Sequence, residues 1–342
     1  MSALKPLLPQ DHARWDEFVR ACPEASFFHL AGWKRVIEEA FGHRTHFHYV
    51  EEAGQITGVL PLAEVKSRLF GHSLVSLPFC VYGGIAASNS GAAEILTDAA
   101  TNLAIERGVG HLELRHMAVR HPDWPRQDLY VTFRKPLLPT ADENLAAIPR
   151  KQRAMVRKGI KNGLVSTPDG GLETFFALYA DNVHRHGTPA LPKRYFSLLK
   201  ECFGNDCSVL NVFDSAGMAV SGVLSFRFRD EILPYYAGDC PEARALAAND
   251  FKYWELMRRA GDEGVAVFDY GRSKRGTGSF DFKRNWGFEP QPLSYEYALI
   301  TAKAVPNNNP LNPKYRLFIE AWRRLPRGVA NRLGPLLVRS LG

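Results

Sequence analysis

The sequence predicts an α/β chain of mixed sheets, arranged as two similar domains. Three observations carry that expectation. Through the first 145 residues, short β-branched and aromatic runs alternate with stretches of helical periodicity. The second half then replays the order of the first. At 342 residues the chain is long for one core and comfortable for two.

In chain order, Asp11 to Cys22 reads as a short helix. Leu30 to Phe41 is a second one, with Leu30, Trp33, Ile37 and Phe41 on one stripe and Gly42 as its stop. His46 to Glu51 and Ile56 to Val65 form a hairpin that turns at Ala53-Gly54. Leu74 to Leu77 is a strand followed by the Tyr82-Gly83-Gly84 turn. Ala92 to Arg107 is helical and Gly108 stops it, and strands follow at Val109 to Leu114 and Tyr130 to Phe133.

The replay begins at Gly217-Met-Ala-Val-Ser-Gly222-Val-Leu-Ser-Phe226, which echoes Gly54-Gln-Ile-Thr-Gly58-Val-Leu-Pro-Leu62. Tyr236-Ala237-Gly238, a helix over 250–260, Glu263-Gly264 and a strand then answer Tyr82-Gly83-Gly84, its helix, Arg107-Gly108 and its strand. The expected boundaries are an N-terminal domain over 1–147, a basic linking helix over 148–163 and a C-terminal domain over 164–300. A proline- and asparagine-rich linker with a basic amphipathic tail completes the chain over 301–342.

The linking helix reads IPRKQRAMVRKGIKNG. Pro149 suits its first turn and Gly163 its end. Arg150, Arg153, Arg157 and Lys161 make a continuous cationic stripe, flanked by Lys151 and Lys158. A solvated face and a phosphate-binding face both account for it. In the tail, Tyr315, Phe318, Ile319, Trp322 and Leu325 share one side, with Lys314, Glu320, Arg323 and Arg324 opposite. Such a helix either docks on its own domain or lies in a membrane interface.

Hydrophobic content of 45% and charged content of 23% are ordinary for a globular protein. Residues 1–18 lack the apolar run of a signal peptide, and no stretch has the roughly 20 apolar residues of a spanning helix. The five cysteines are scattered without a C-x-x-C pair, which fits a reducing cytoplasm. The net charge of +7 is uneven: residues 314–342 hold seven basic groups and one acid, so the rest is nearly neutral. Phospholipid headgroups and tRNA are the anionic partners this tail suggests.

The most informative stretch is Val265 to Gly287, VAVFDYGRSKRGTGSFDFKRNWG. A buried strand breaks into a loop in which Gly271, Gly276 and Gly278 surround Arg272, Lys274 and Arg275. A short segment follows with Phe280, Phe282 and Trp286 around Lys283 and Arg284. Glycines permit close backbone approach to an anion, and a lysine held among rings can stabilise a developing oxyanion. Lys283 is the candidate for that role, with Asp281 or Asp269 to accept a proton and Tyr235 or Tyr236 to serve the leaving group. Arg150, Arg153, Arg157, Lys161, Arg272, Lys274, Arg275, Gly276, Gly278 and Trp286 are the candidate binding residues. His43, His46, His48, His184 and His186 lack a third ligand pattern, so no metal is expected.

The motif D-Y-G-R-S-x-x-G-T-x-x-F-x-F-K-x-x-W-G, with Asn249-Asp-Phe-Lys-Tyr-Trp-Glu-Leu-Met-Arg before it, resembles the C-terminal domain of FemAB-type transferases. Within that group it is most similar to FemAB-related proteins of exosortase/PEP-CTERM exopolysaccharide systems. The resemblance runs from Phe27-Phe28-His29 onward. It implies tandem GNAT-like domains and transfer of an acyl or aminoacyl group to an amine on a cell-envelope precursor. It also implies no tightly bound cofactor, with aminoacyl-tRNA or acyl-CoA/acyl-carrier protein as co-substrate. The GNAT pyrophosphate loop, Q/R-x-x-G-x-G/A, stands here as Arg244-Ala-Leu-Ala247-Ala-Asn249, with both glycines replaced. That departure and the basic stripe favour tRNA, whereas the lack of a long helical-hairpin arm favours the thioester. A silent GNAT-like module that binds an anionic polymer is the reading outside the enzyme class.

Overall fold

A computed structural model describes residues 2–67, 71–306 and 313–340, with side chains from 318 onward in the last segment. The side chains of Lys314, Tyr315 and Arg316 in the tail therefore lie outside the described residues. The chain divides into two compact units. One is Met1–Tyr130 with Pro292–Asn308 and Arg339–Gly342, the other Val131–Gln291 with Asn309–Val338.

In chain order the first part holds β1 (Ala3–Pro6), α1 (His12–Ala21), α2 (Gly32–Phe41), β2 (Arg44–Glu52), β3 (Gln55–Ser67) and β4 (Gly71–Ser76). It continues with β5 (Ala86–Ala87), α3 (Ser90–Arg107), β6 (His111–His116) and β7 (Arg126–Gln127). Next come β8 (Tyr130–Pro136), α4 (Ala141–Ala147), α5 (Arg150–Lys161), β9 (Val165–Pro168), α6 (Leu172–Arg185) and α7 (Lys193–Phe203). The second hairpin and its crossover are β10 (Cys207–Phe213), β11 (Ala219–Phe228), β12 (Glu231–Asp239), α8 (Ala243–Leu246), α9 (Ala248–Asp262) and β13 (Val267–Asp269). The last elements are β14 (Ser273–Lys274), α10 (Gly278–Asn285), β15 (Pro290–Pro292), β16 (Ser294–Leu299), α11 (Pro313–Arg324) and α12 (Arg327–Val338).

The first sheet has the order β1-β2-β3-β4-β6-β16-β7 and the second β14-β8-β13-β12-β11-β10-β9. One topology is used twice: β2-β3-β4-β6-β16 has the same plan as β10-β11-β12-β13-β8. In each sheet an antiparallel hairpin leads to a strand that pairs in parallel across a helical crossover, through α3 in one case and α8–α9 in the other. Parallel neighbours require such a crossover because a tight turn cannot reverse the chain direction twice. The last strand of each plan is exchanged along the sequence. β8 precedes the second unit's other strands and pairs with β13, while β16 follows them and pairs with β6.

Local sequence explains the crossover helices. Asn89 caps α3 by accepting from the Ala92 N–H at 2.8 Å, and Gly108 closes it in the left-handed region at φ 59°. The buried face of α3 (Ala92, Ala93, Leu96, Ala100, Ala104) packs with Leu60, Leu62, Leu74, Leu112 and Leu114 of the sheet. The echo between Tyr82-Gly83-Gly84 and Tyr236-Ala237-Gly238 does not hold in three dimensions. β4 ends at Ser76, so Tyr82–Gly84 lie in a loop where the Gly84 N–H donates to the Arg115 carbonyl. Tyr236–Gly238 instead remain inside β12.

In the second unit α6 lies directly on β12. A Cβ at Gly238 would collide with the Tyr179 backbone. Gly238→Val is expected to lower Tm by about 6 °C or more, from roughly 3 kcal/mol of overpacking at 2–4 °C per kcal/mol. Scanning calorimetry reads this directly, and an unchanged Tm would mean that α6 can shift without cost. The tail packs here as well: α11 and α12 both contact α6, Trp322 is buried, and Arg327 pairs with Asp181. Among the described residues no helix is long and apolar enough to cross a membrane.

Candidate functional site

The second sheet contains an opening. β12 and β13 pair only at Glu231–Val267 and Ile232–Phe268. β13 then ends at Asp269, while β12 runs on to Asp239. Tyr235 is an extra residue in β12, between the Ser225–Pro234 and Leu224–Tyr236 pairs with β11. Such a bulge bends its strand and increases the local twist. Beyond Ile232, β12 makes no further pair with β13 among the described residues.

Lys283 lies on α10, against the turn that follows β13. Thr277 caps α10, accepting from the Phe280 N–H at 3.4 Å and donating to the Lys274 carbonyl at 2.8 Å. Later in α10, the Lys283 Nζ donates to the carbonyls of Gly271 (2.9 Å) and Arg272 (3.1 Å). It lies 5.6 Å from the Phe133 ring centroid and 5.9 Å from that of Tyr270. Burial lowers its pKa to about 7, against the pull of Asp269 in the other direction. Gly271 adopts φ 67°, and a Cβ there would come within 3.1 Å of Leu233 on β12. Lys283 therefore fastens the glycine turn that borders the opening, and its charge is poised to change near neutral pH.

The other sequence-predicted residues are spread more widely. Asp269 is 2% exposed; its carboxylate accepts from Thr132 Oγ1 (3.1 Å) and the Gly271 N–H (2.7 Å), and burial raises its pKa. It serves the turn rather than facing solvent. Asp281 is exposed on α10. The Tyr236 hydroxyl meets that of Tyr195 at 3.0 Å, within rings from Tyr179, Phe196 and Tyr235. Trp286 is fully buried and donates through Nε1 to Asp250 at 3.0 Å, which places it in the core. Arg272 and Lys274 are half-buried, Arg275 is exposed, Gly276 holds φ 74° and Gly278 begins α10. Burial, then Arg272, lowers the Lys274 pKa to about 8.

On α5, Arg150, Lys151, Arg157, Lys158 and Lys161 are exposed, whereas Arg153 is half-buried and donates to the Ala146 carbonyl at 3.0 Å. The opposite face packs on α9. A Cβ at Gly159 would come within 2.7 Å of Phe251, so glycine lets the two helices approach. At the start of α9, Ala247 takes φ 59° and supplies no side-chain cap. The Asp250 carboxylate accepts from Trp286 Nε1 at 3.0 Å and from its own backbone N–H in the first turn of α9.

Two buried polar clusters escaped the sequence reading. Lys252, fully buried in α9, donates to Asp239 Oδ1 at 2.9 Å, and Ser221 donates to the same oxygen. Its only trace in the sequence is a lysine on the core side of an amphipathic helix. In the first unit, Glu296 is 0% exposed. It accepts from the Arg120 N–H (2.7 Å), the His121 N–H (3.1 Å), Ser294 Oγ (2.8 Å) and His121 Nδ1 (2.6 Å). His116 Nδ1 lies 3.3 Å away. Ligand atoms of His116, His121 and Glu296 sit within 4.8 Å of one another, a spacing that suits a metal ion. However, His116 Nε2 accepts from the Ile85 N–H at 2.9 Å, so its proton sits on Nδ1 and faces the carboxylate. Four hydrogen bonds hold Glu296, and His116, with its proton on Nδ1, has no lone pair to offer the cluster. His46 and His72 likewise both bond to Glu64, and His184 bonds to the Leu325 carbonyl.

Residues 147–284 match the acetyltransferase (GNAT) domain family. No curated protein matches the sequence. Among solved structures, FemX superposes with a TM-score of 0.67 at 17% identity, covering 93% of this chain and 100% of its own. A tandem GNAT protein from the clavulanic acid biosynthesis pathway gives 0.55 at 14% identity, covering 90% and 100%. The C-terminal domain of a putative lysylphosphatidylglycerol synthetase from Agrobacterium fabrum gives 0.57 at 13%, covering 85% and 91%. With the divergent strands, the bulge and the duplicated sheet order, these likenesses make the chain a tandem GNAT-like fold, in which residues 147–284 are similar to the acetyltransferase (GNAT) domain family.

Proposed function

We propose that the protein is an N-acyltransferase of FemAB type, and that the opening between β12 and β13 receives the donor. The observation that carries the reading is the parting of β12 from β13 after two pairs, next to a glycine turn that Lys283 fastens. A donor laid along β12 there can hydrogen-bond to the strand, with its carbonyl carbon held for attack by an amine. The C–N bond forms as the ester C–O or thioester C–S bond breaks. The amine loses a proton and the leaving group gains one. A protonated Lys283 would stabilise the tetrahedral oxyanion.

The donor is an activated acyl or aminoacyl group carried on a phosphate-bearing molecule. The exposed cations of α5 favour aminoacyl-tRNA, because five basic side chains on one helix suit a phosphate backbone. The second reading, acyl-CoA or an acyl-carrier protein, is supported by the similarity of residues 147–284 to the acetyltransferase (GNAT) domain family. The acceptor is an amine on a cell-envelope glycan, peptide or lipid precursor, met from the cytoplasm. The resemblance to exosortase/PEP-CTERM-associated proteins makes an exopolysaccharide system its setting, and the likeness of the fold to a putative lysylphosphatidylglycerol synthetase domain is in keeping with an envelope acceptor.

The test is what the purified protein carries. RNA that elutes with it, and whose binding weakens roughly 50-fold between 50 and 200 mM salt, corresponds to about four phosphate contacts. Arg157→Glu with Lys161→Glu is expected to abolish that binding. A pantetheine thioester found by mass spectrometry, with no RNA, would select the second reading. Neither donor bound, and no acyl transfer from either, would leave a GNAT-like binding module.

A further inference from the structure

The docked tail keeps an apolar face for which the fold has no use. Its inner face is fully engaged. Trp322, Ala330 and Val338 are buried, and a Cβ at Gly334 would come within 3.1 Å of the Ala190 carbonyl. A Cβ at Gly187 would meet Ile319 at 2.5 Å. His184 bonds to the Leu325 carbonyl at 3.0 Å, and the Arg327–Asp181 pair fastens the start of α12. Docking thus accounts for one side of the tail helices.

The other side of α12 points to solvent. Val329, Leu333 and Leu336 are 43%, 42% and 60% exposed. At spacings of i, i+4 and i+7 they form one stripe, and Arg332 is exposed beside it. Phe318 of α11 adds a further exposed ring, at 39%. Residues 321–342 contain five arginines and no acidic residue. An exposed leucine ridge set among arginines matches the interfacial region of an anionic bilayer, where acyl chains receive the apolar groups and phosphates receive the guanidinium groups. A second copy of this chain suits the face poorly, since a two-fold contact would bring arginines against arginines.

We propose that the outward face of the docked α12 binds the surface of an anionic membrane, with the tail remaining packed on α6. This surface stands apart from the donor and acceptor of the transfer reaction. Its test does not pass through turnover, so the two ideas fail separately.

The experiment is co-sedimentation of the full chain with vesicles of phosphatidylglycerol and phosphatidylcholine, compared with phosphatidylcholine alone. Binding is expected on the anionic vesicles only, weakening as salt is raised. Leu333→Asp with Leu336→Asp should reduce it at least tenfold with circular dichroism and Tm unchanged. Arg332→Glu should reduce it by severalfold, since each basic group near such a surface contributes about 1 kcal/mol. Wild-type protein that fails to bind anionic vesicles, or a double variant that binds as well as wild type, would overturn the proposal. So would a concentration-dependent dimer, seen by light scattering, that the Leu333→Asp change dissolves.

Discussion

Lys283→Met is expected to reduce transfer by roughly 10²–10³, the usual loss when one oxyanion donor is removed. The fold should persist, because methionine fills the space between Phe133 and Tyr270. An interaction made only in the transition state lowers kcat and kcat/KM together, whereas a merely displaced turn raises KM. The pH profile separates the roles further. Lys283 must be protonated to neutralise an oxyanion, and burial lowers its pKa to about 7. Activity should therefore fall as pH rises through about 7. Lys283→Arg, which stays charged, should remove that alkaline limb while retaining part of the rate. Stability runs the other way. The unfolded chain holds the lysine proton up to its ordinary value of 10.5, so the wild type gains stability relative to Lys283→Met as pH rises from 7 toward 10. Full turnover in the methionine variant would falsify the oxyanion assignment and leave Lys283 as a fastener of the Gly271–Arg272 turn.

The largest stability effect is expected in the first unit, at Glu296. Its removal strands the N–H groups of Arg120 and His121, the Ser294 hydroxyl and His121 Nδ1 in a buried site. Glu296→Ala is expected to cost about 3–5 kcal/mol, and to lower Tm by about 6–20 °C for a chain of this size. Burial alone would raise the Glu296 pKa, but hydrogen bonds from His116, His121 and the Arg120 N–H outweigh it and hold the group well below the ordinary carboxylate range. The stability it confers is therefore present above the unfolded carboxylate value and is lost as pH falls toward its own lower value. Burial also depresses the His116 pKa, which adds a cost once the unfolded chain protonates that ring below about 6.5. Denaturant titrations of wild type from pH 7 to 4 should show a steep decline, and Glu296→Ala a shallower one. Parallel curves would show that the cluster does not govern acid stability.

Much of the chain was legible locally. The helices over 150–161 and 248–262, the 44–52/55–67 hairpin and the strand that ends at Asp269 follow from periodicity and from glycine stops. The burial of Lys283 was legible because a lysine flanked by Phe280, Phe282 and Trp286, just after a glycine turn, has few solvated positions to occupy. Trp286 shows the limit of that reasoning. Its ring is part of the core through a bond to Asp250, thirty-six positions away. Asp269 shows it too, since a carboxylate beside a glycine loop serves either chemistry or the turn, and its acceptance from Gly271 and Thr132 commits it to the turn.

From the amino-acid order alone came the α/β class, the duplication, the cationic helix and the two-sided character of the tail. Each is a property of neighbours within a few turns or one strand, where side-chain direction follows from backbone period. Only the tertiary structure decided that β8 and β16 complete opposite sheets, that β12 parts from β13 after two residue pairs, and that Glu296 gathers donors from residues 120 and 121. It also decided which side of α12 is covered. These depend on which distant segments share a buried surface, and a periodic pattern records that a face is apolar without recording what will cover it.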